Sequence, residues 1–148
     1  MIPMAHIGAT ELPEEALGGL SLIKYCVIGL WLFGALFFVL QPLSALSTLC
    51  LAFFGTYLLY EDPHMAKCYY CLRESLVGQC CGPGGLPMLM PFFFFSAVNA
   101  VVHGLQLVQV FSVLGAASFT HVLVDVLVGI WVSEATAAVL AWRVLKAV

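Results

Sequence analysis

The run Val27–Tyr60, VIGLWLFGALFFVLQPLSALSTLCLAFFGTYLLY, decides the fold. It carries no charge, and only Gln41-Pro42 interrupts its apolar course. A helix rises 1.5 Å per residue, so one helix of this length would measure about 50 Å, against a hydrocarbon core of about 30 Å. Pro42 lacks an N–H and clashes with the turn before it, so it cannot sit inside one continuous helix. The run therefore reads as a tight helical hairpin, with Ser44, Ser47 and Thr48 near the far interface. A broken or re-entrant pair is the alternative, since both helices are short.

The whole chain has the same character. Of its 148 residues 63% are hydrophobic and only 9% charged, and its mean hydropathy is +1.07. Soluble domains carry about 25% charged residues, so there are too few here to cover a water-soluble globule. The low charge also excludes a disordered chain. A net charge of −3 gives no basic field for nucleic acid.

Four stretches are long enough to cross a bilayer: Leu22–Leu40, Leu43–Tyr60, Met88–Leu114 and Thr120–Trp142. The apolar runs are continuous rather than alternating, which argues against barrel strands. The expected fold is all-α, an integral membrane four-helix bundle of two transmembrane hairpins in one domain. Residues 1–19 form an interfacial segment and 61–87 a Cys-rich loop. Thr10, Pro13, Glu14 and Glu15 read as a helix start, and the acids Glu11, Glu14 and Glu15 speak against a signal or transit peptide.

Charge sets the orientation. Lys24 begins the first span, Lys67 and Arg73 sit in the central loop, and Arg143 and Lys146 end the fourth. The connections around Gln41–Pro42 and Gly115–Phe119 carry no charge. The positive-inside rule places both termini and the central loop on one side, cytoplasmic or its organellar equivalent. Tyr25, Tyr57, Tyr60 and Trp142 lie at that interface, as an aromatic belt does. A mitochondrial inner membrane or an endomembrane suits this pattern.

The central loop holds His64, Cys68, Cys71, Cys80 and Cys81. Cys68-x-x-Cys71 is spaced to aim two thiolates at one zinc ion, with His64 and one of Cys80 or Cys81 completing a tetrahedron. The adjacent Cys80-Cys81 pair departs from a zinc ribbon, because neighbouring side chains diverge. The same four cysteines are juxtamembrane acceptors for S-acylation, and reduced, packed thiols are the third reading. Gly82-Pro83-Gly84-Gly85 has no Lys-Ser/Thr after it, so it is a turn and not a nucleotide loop.

Polar side chains recur inside the spans. Ser96, Asn99, His103 and Gln106 share one face of the third helix. The fourth carries His121 and Asp125 on one face and Glu134 opposite Asp125. Ionisable groups at such depth face protein. A turn near Ala117 brings Glu134 level with Asn99 or His103, so Glu134 is expected either to keep its proton or to bond His103. Asp125 is expected to pair with His121. The plain explanation is interhelical glue; a proton, ion or quinone path and haem ligation are the alternatives. Haem is disfavoured because His103 lies mid-span and His121 at the edge, with His6 and His64 outside. Ser44, Thr48, Ala52 and Thr56 form a small-residue ladder for close helix packing. Phe92–Phe95 surround the third helix as lipid- or partner-facing packing.

No catalytic signature is present and the loops are short, so an enzyme acting alone is not expected. The chain reads first as a non-catalytic accessory subunit of a larger membrane complex, with the bilayer and other membrane subunits as partners and no nucleic acid or nucleotide. A second reading rests on resemblance. The order of four spans, Cys68-Tyr69-Tyr70 and a Phe-rich third span is similar to secretory carrier membrane proteins over about a third of the chain. That resemblance implies a tetraspan organiser of membrane traffic, although the family's Asn-Pro-Phe repeats and the charged segment before its third span are missing here. The third reading is a small anchor or carrier for proton, quinone or haem built on His103 and Glu134. Such a carrier is disfavoured because four spans without repeats are a small scaffold for alternating access.

Overall fold

The computed structural model describes residues 13–74, 84–115 and 121–148. Every regular element among them is helical: α1 (Glu14–Leu40), α2 (Pro42–Leu58), α3 (Ala66–Glu74), a short 3-10 turn (Leu86–Met88), α4 (Leu89–Leu114) and α5 (Val122–Ala147). Pro42 is the first residue of α2, where its missing N–H costs nothing. The break between α1 and α2 is the single residue Gln41, whose N–H donates to the Phe37 carbonyl. At the far end of α4, Gly115 takes φ +57°, a conformation that suits glycine as a helix stop.

Among the described residues, three helices are long and apolar enough to cross a membrane: α1, α4 with the turn before it, and α5. The second expected span is a shorter apolar helix of 17 residues, about 25 Å long. The N-terminal part also differs from expectation. From Glu14 onward no interfacial helix separates from the first span, because Gly18 and Gly19 do not interrupt the ladder and α1 runs unbroken for 27 residues. Its start is closed by the Pro13 carbonyl, which accepts from the N–H groups of Ala16 and Leu17. Thr10 lies outside the described residues, as do Thr120 and the expected turn near Ala117. The central loop contains a helix that hydropathy did not signal, α3, pinned by the buried Tyr69.

The four long elements form an antiparallel ring in which α1 packs on α2 and α5, and α4 packs on α5 and α2. Trp31 meets Thr56 across α1–α2. Gly129 leaves room for the Phe33 ring across α1–α5. Phe93 stacks on Trp142 across α4–α5, and Phe54 stacks on Phe95 across α2–α4. The start of α1, the end of α2, the start of α4 and the end of α5 therefore share one end of the bundle. Two further links tie that end together: Lys24 to Asp62 at 3.1 Å, and the Gly85 N–H donating to the Tyr57 carbonyl.

The core divides into two apolar clusters. One, toward the loop end, contains Ile23, Val27, Leu30, Leu51, Ala52, Phe92, Ala137 and Ala141. The other contains Phe37, Ala45, Leu107, Leu127 and Ile130. Glycines permit the close approach: a Cβ on Gly55 would collide with Val27 and press on Phe92. Small residues at crossing points are how apolar helices gain contact where lipid provides no hydrophobic drive.

Candidate functional site

Between the two clusters lies a polar layer. On α2 it is Thr48, between Ala45 and Leu51. On α4 it is Ser96, Asn99 and His103, between Phe92 and Leu107. On α5 it is Glu134, between Ile130 and Ala137. All five are buried, with Thr48, Ser96 and Glu134 at 0% exposure. Glu134 stands about 14 Å along α5 from both Asp125 and Arg143, at 1.5 Å per residue.

The layer is held by specific bonds. His103 Nδ1 lies 2.7 Å from Glu134 Oε2, and Thr48 Oγ1 donates to Glu134 Oε1 at 3.4 Å. Asn99 Nδ2 donates to the Ser47 carbonyl at 3.3 Å. Ser96 Oγ turns back to the Phe93 carbonyl of its own helix. The Phe37 ring of α1 meets the imidazole nearly edge-on, with centroids 6.3 Å apart. One carboxyl group is thus fastened to two neighbouring helices, α2 and α4, and α1 closes the fourth side. A 2.7 Å link between a carboxyl oxygen and a ring nitrogen shares a proton, whichever atom carries it.

The remaining stripe residues fall elsewhere. Gln106 is half-buried, and its side chain has no hydrogen-bond partner among the described residues. His121 and Asp125 are both exposed at the start of α5. They meet only through the backbone, where the His121 carbonyl accepts from the Asp125 N–H; the expected side-chain pair does not form. His121 precedes α5, and exposed groups at a helix start have water or headgroups to meet in place of each other. His121 is also 13 positions from Glu134, about 20 Å of helix, so His103 and His121 cannot ligate one haem within a single chain.

The small-residue ladder splits. Thr48, Ala52 and Thr56 are buried, whereas Ser44 is exposed near the hairpin turn. Two of these threonines also bond: Thr48 to Glu134, and Thr56 to the Trp31 indole N–H at 3.0 Å. Spacing alone marked them as small. Their role as hydrogen-bond partners depends on which residues stand opposite, and Trp31 in an apolar run gives no sign of it.

At the loop end, Asp62 collects Lys24 Nζ, the His64 backbone N–H and, at 3.4 Å, the His64 ring. Partial burial is the largest influence and pushes its carboxyl up. The His64 N–H and the Lys24 ammonium together outweigh it, holding the group below its ordinary value. Cys68 and Cys71 sit one turn apart on α3, the first half-buried and the second exposed. Burial, followed by the neighbouring Cys71, pushes the Cys68 thiol up. Cys80 and Cys81 lie outside the described residues, and among the described residues no three potential ligands converge on a metal position.

Comparison with known protein families, with curated proteins and with solved structures returns no match.

Proposed function

We propose that this chain is a non-catalytic, multi-pass membrane subunit whose four helices cross the bilayer as two hairpins. Both ends and the cysteine loop lie on the positively charged side. Its outward faces pack against other membrane subunits. The observation that carries this reading is the closed polar layer. Each of its polar residues bonds within the bundle, and apolar clusters shut it above and below. Groups arranged this way fasten helices together, at about 0.6–2 kcal/mol per interhelical bond; a transport path needs them open to one side.

The outer surface supports the same reading. Leu32, Leu36 and Val39 on α1 and Phe94, Val98, Val101, Leu105 and Val108 on α4 are exposed and apolar. Such faces suit lipid or a partner helix and nothing in water. The short α2 fits a crossing when Leu59 and Tyr60 extend its apolar length and the bilayer thins locally. Purification in mild detergent followed by native mass spectrometry tests the proposal. Partner proteins at fixed stoichiometry are expected. A stable chain recovered alone from its native membrane, with none bound, refutes it.

A further inference from the structure

The outward stripe of α5 changes chemistry along its length. Val132, Thr136, Val139, Arg143 and Lys146 recur at alternating spacings of four and three, so they share one helix face. All five are exposed, because the opposite face, with Ala137, Ala141 and Val144, is buried in the bundle. Up to Val139 the stripe is uncharged; beyond it both residues are cations. Neither Arg143 nor Lys146 forms an ion pair among the described residues. Glu14 and Glu15 begin α1 at the same end and bond neither. The Lys146 ammonium lies instead over the Trp142 ring, 5.1 Å from its centroid. Trp142 is 48% exposed and is steadied by Phe93 of α4, stacked at 5.5 Å. Arg143 stands about 14 Å along α5 from Glu134, close to half of a hydrocarbon core of about 30 Å. With the polar layer at mid-depth, Trp142 and Arg143 stand at the headgroup boundary, where indole rings prefer to lie. Lys146 is about 5 Å further out.

We propose that the end of α5 seats an anionic phospholipid, with Arg143 and Lys146 on its phosphate and an acyl chain running down Val139 and Val132 beside Trp142. Charge complementarity selects this occupant. Two cations without ion-pair partners stand at headgroup depth, directly over an exposed apolar track. A guanidinium offers a phosphate two parallel N–H donors. Each cation near the surface favours anionic lipid by about fivefold, so the pair gives up to about thirtyfold. A zwitterionic lipid carries its own cation beside the phosphate and gains less. Cations also complement the negative end of a helix, but that effect is equal in every lipid, whereas a seat shows lipid preference. The exposed faces of α1 and α4 stay open to other subunits.

The inference rests on the membrane placement proposed above and needs no partner subunit. The test reconstitutes the chain in nanodiscs of phosphatidylcholine and phosphatidylglycerol, with one lipid at a time brominated near the top of its acyl chains. Tryptophan fluorescence reads which lipid lies against the protein. At equal mole fraction, brominated phosphatidylglycerol is expected to quench more, with an association preference of about fivefold or above. Trp142→Phe should remove that excess. Arg143→Gln with Lys146→Gln should abolish the preference, whereas Lys67→Gln with Arg73→Gln should leave it. Equal quenching of the unaltered chain by the two lipids overturns the proposal without any variant having to fold. Loss of the preference in the Lys67 and Arg73 double variant overturns it too, since any basic interface then suffices. Inorganic phosphate that removes the preference, where chloride of equal ionic strength does not, reassigns the site to a free anion and overturns the lipid. Absence of quenching by either lipid refutes the membrane placement itself, so the two failures are told apart.

Discussion

Removing the Glu134 carboxyl tests the polar layer directly. Glu134→Ala strips His103 Nδ1 of its 2.7 Å partner and Thr48 Oγ1 of its 3.4 Å acceptor, at a position with no exposure to lipid or water. The short bond involves groups that share a proton and is worth about 1.5–3 kcal/mol. The longer one sits at the edge of bonding distance and adds about 0.5 kcal/mol at most. Lost side-chain packing at a fully buried site brings the expected destabilisation to about 2–4 kcal/mol. Glu134→Gln retains the volume and can donate to Nδ1, so about 1 kcal/mol is expected. Reversible unfolding in mixed detergent micelles measures both. A double-mutant cycle with His103→Ala should return a coupling of about 1.5 kcal/mol or more, since the two residues are in direct contact. Equal losses for the Ala and Gln variants, or a coupling near zero, would refute the claim that this bond holds α4 to α5.

Three further outcomes follow from the packing and the charged end. Gly55→Ala places a methyl against Val27 and Phe92 and should cost about 1–3 kcal/mol; Gly18→Ala, where nothing lies within 4 Å, should be neutral or slightly stabilising by helix propensity, and thermal unfolding of the pair compares them. Asp62 has a lowered folded pKa, so its contribution is complete above the unfolded value of about 3.9 and fades as pH falls through the lower folded one. Acid unfolding of Asp62→Asn should lack that part of the transition, while Lys24→Ala should cost under about 1 kcal/mol at neutral pH. Maleimide should label the exposed Cys71 before the half-buried Cys68, whose thiol burial pushes up; peptide mass spectrometry over a time course reads the order.

Composition and periodicity alone determined that the chain is helical and where its first long apolar run breaks. Long uncharged runs exclude strands, and Pro42 can only begin a helix, so Gln41–Pro42 had to be a turn. The candidate layer was also partly written there, because Asn99 and His103 must share a face of α4 and an acid at the middle of an apolar span, as Glu134 is, is costly unless it turns inward. What pairs with what was decided by the tertiary arrangement. The register of α5 against α4 brought His103 to Glu134, and the placing of α2 across the ring from α5 made a bonding partner of Thr48. It also left His121 and Asp125 exposed side by side, as no helical spacing could foretell. Helix periodicity specifies which way a side chain faces; only the packing of one helix on another specifies what it meets.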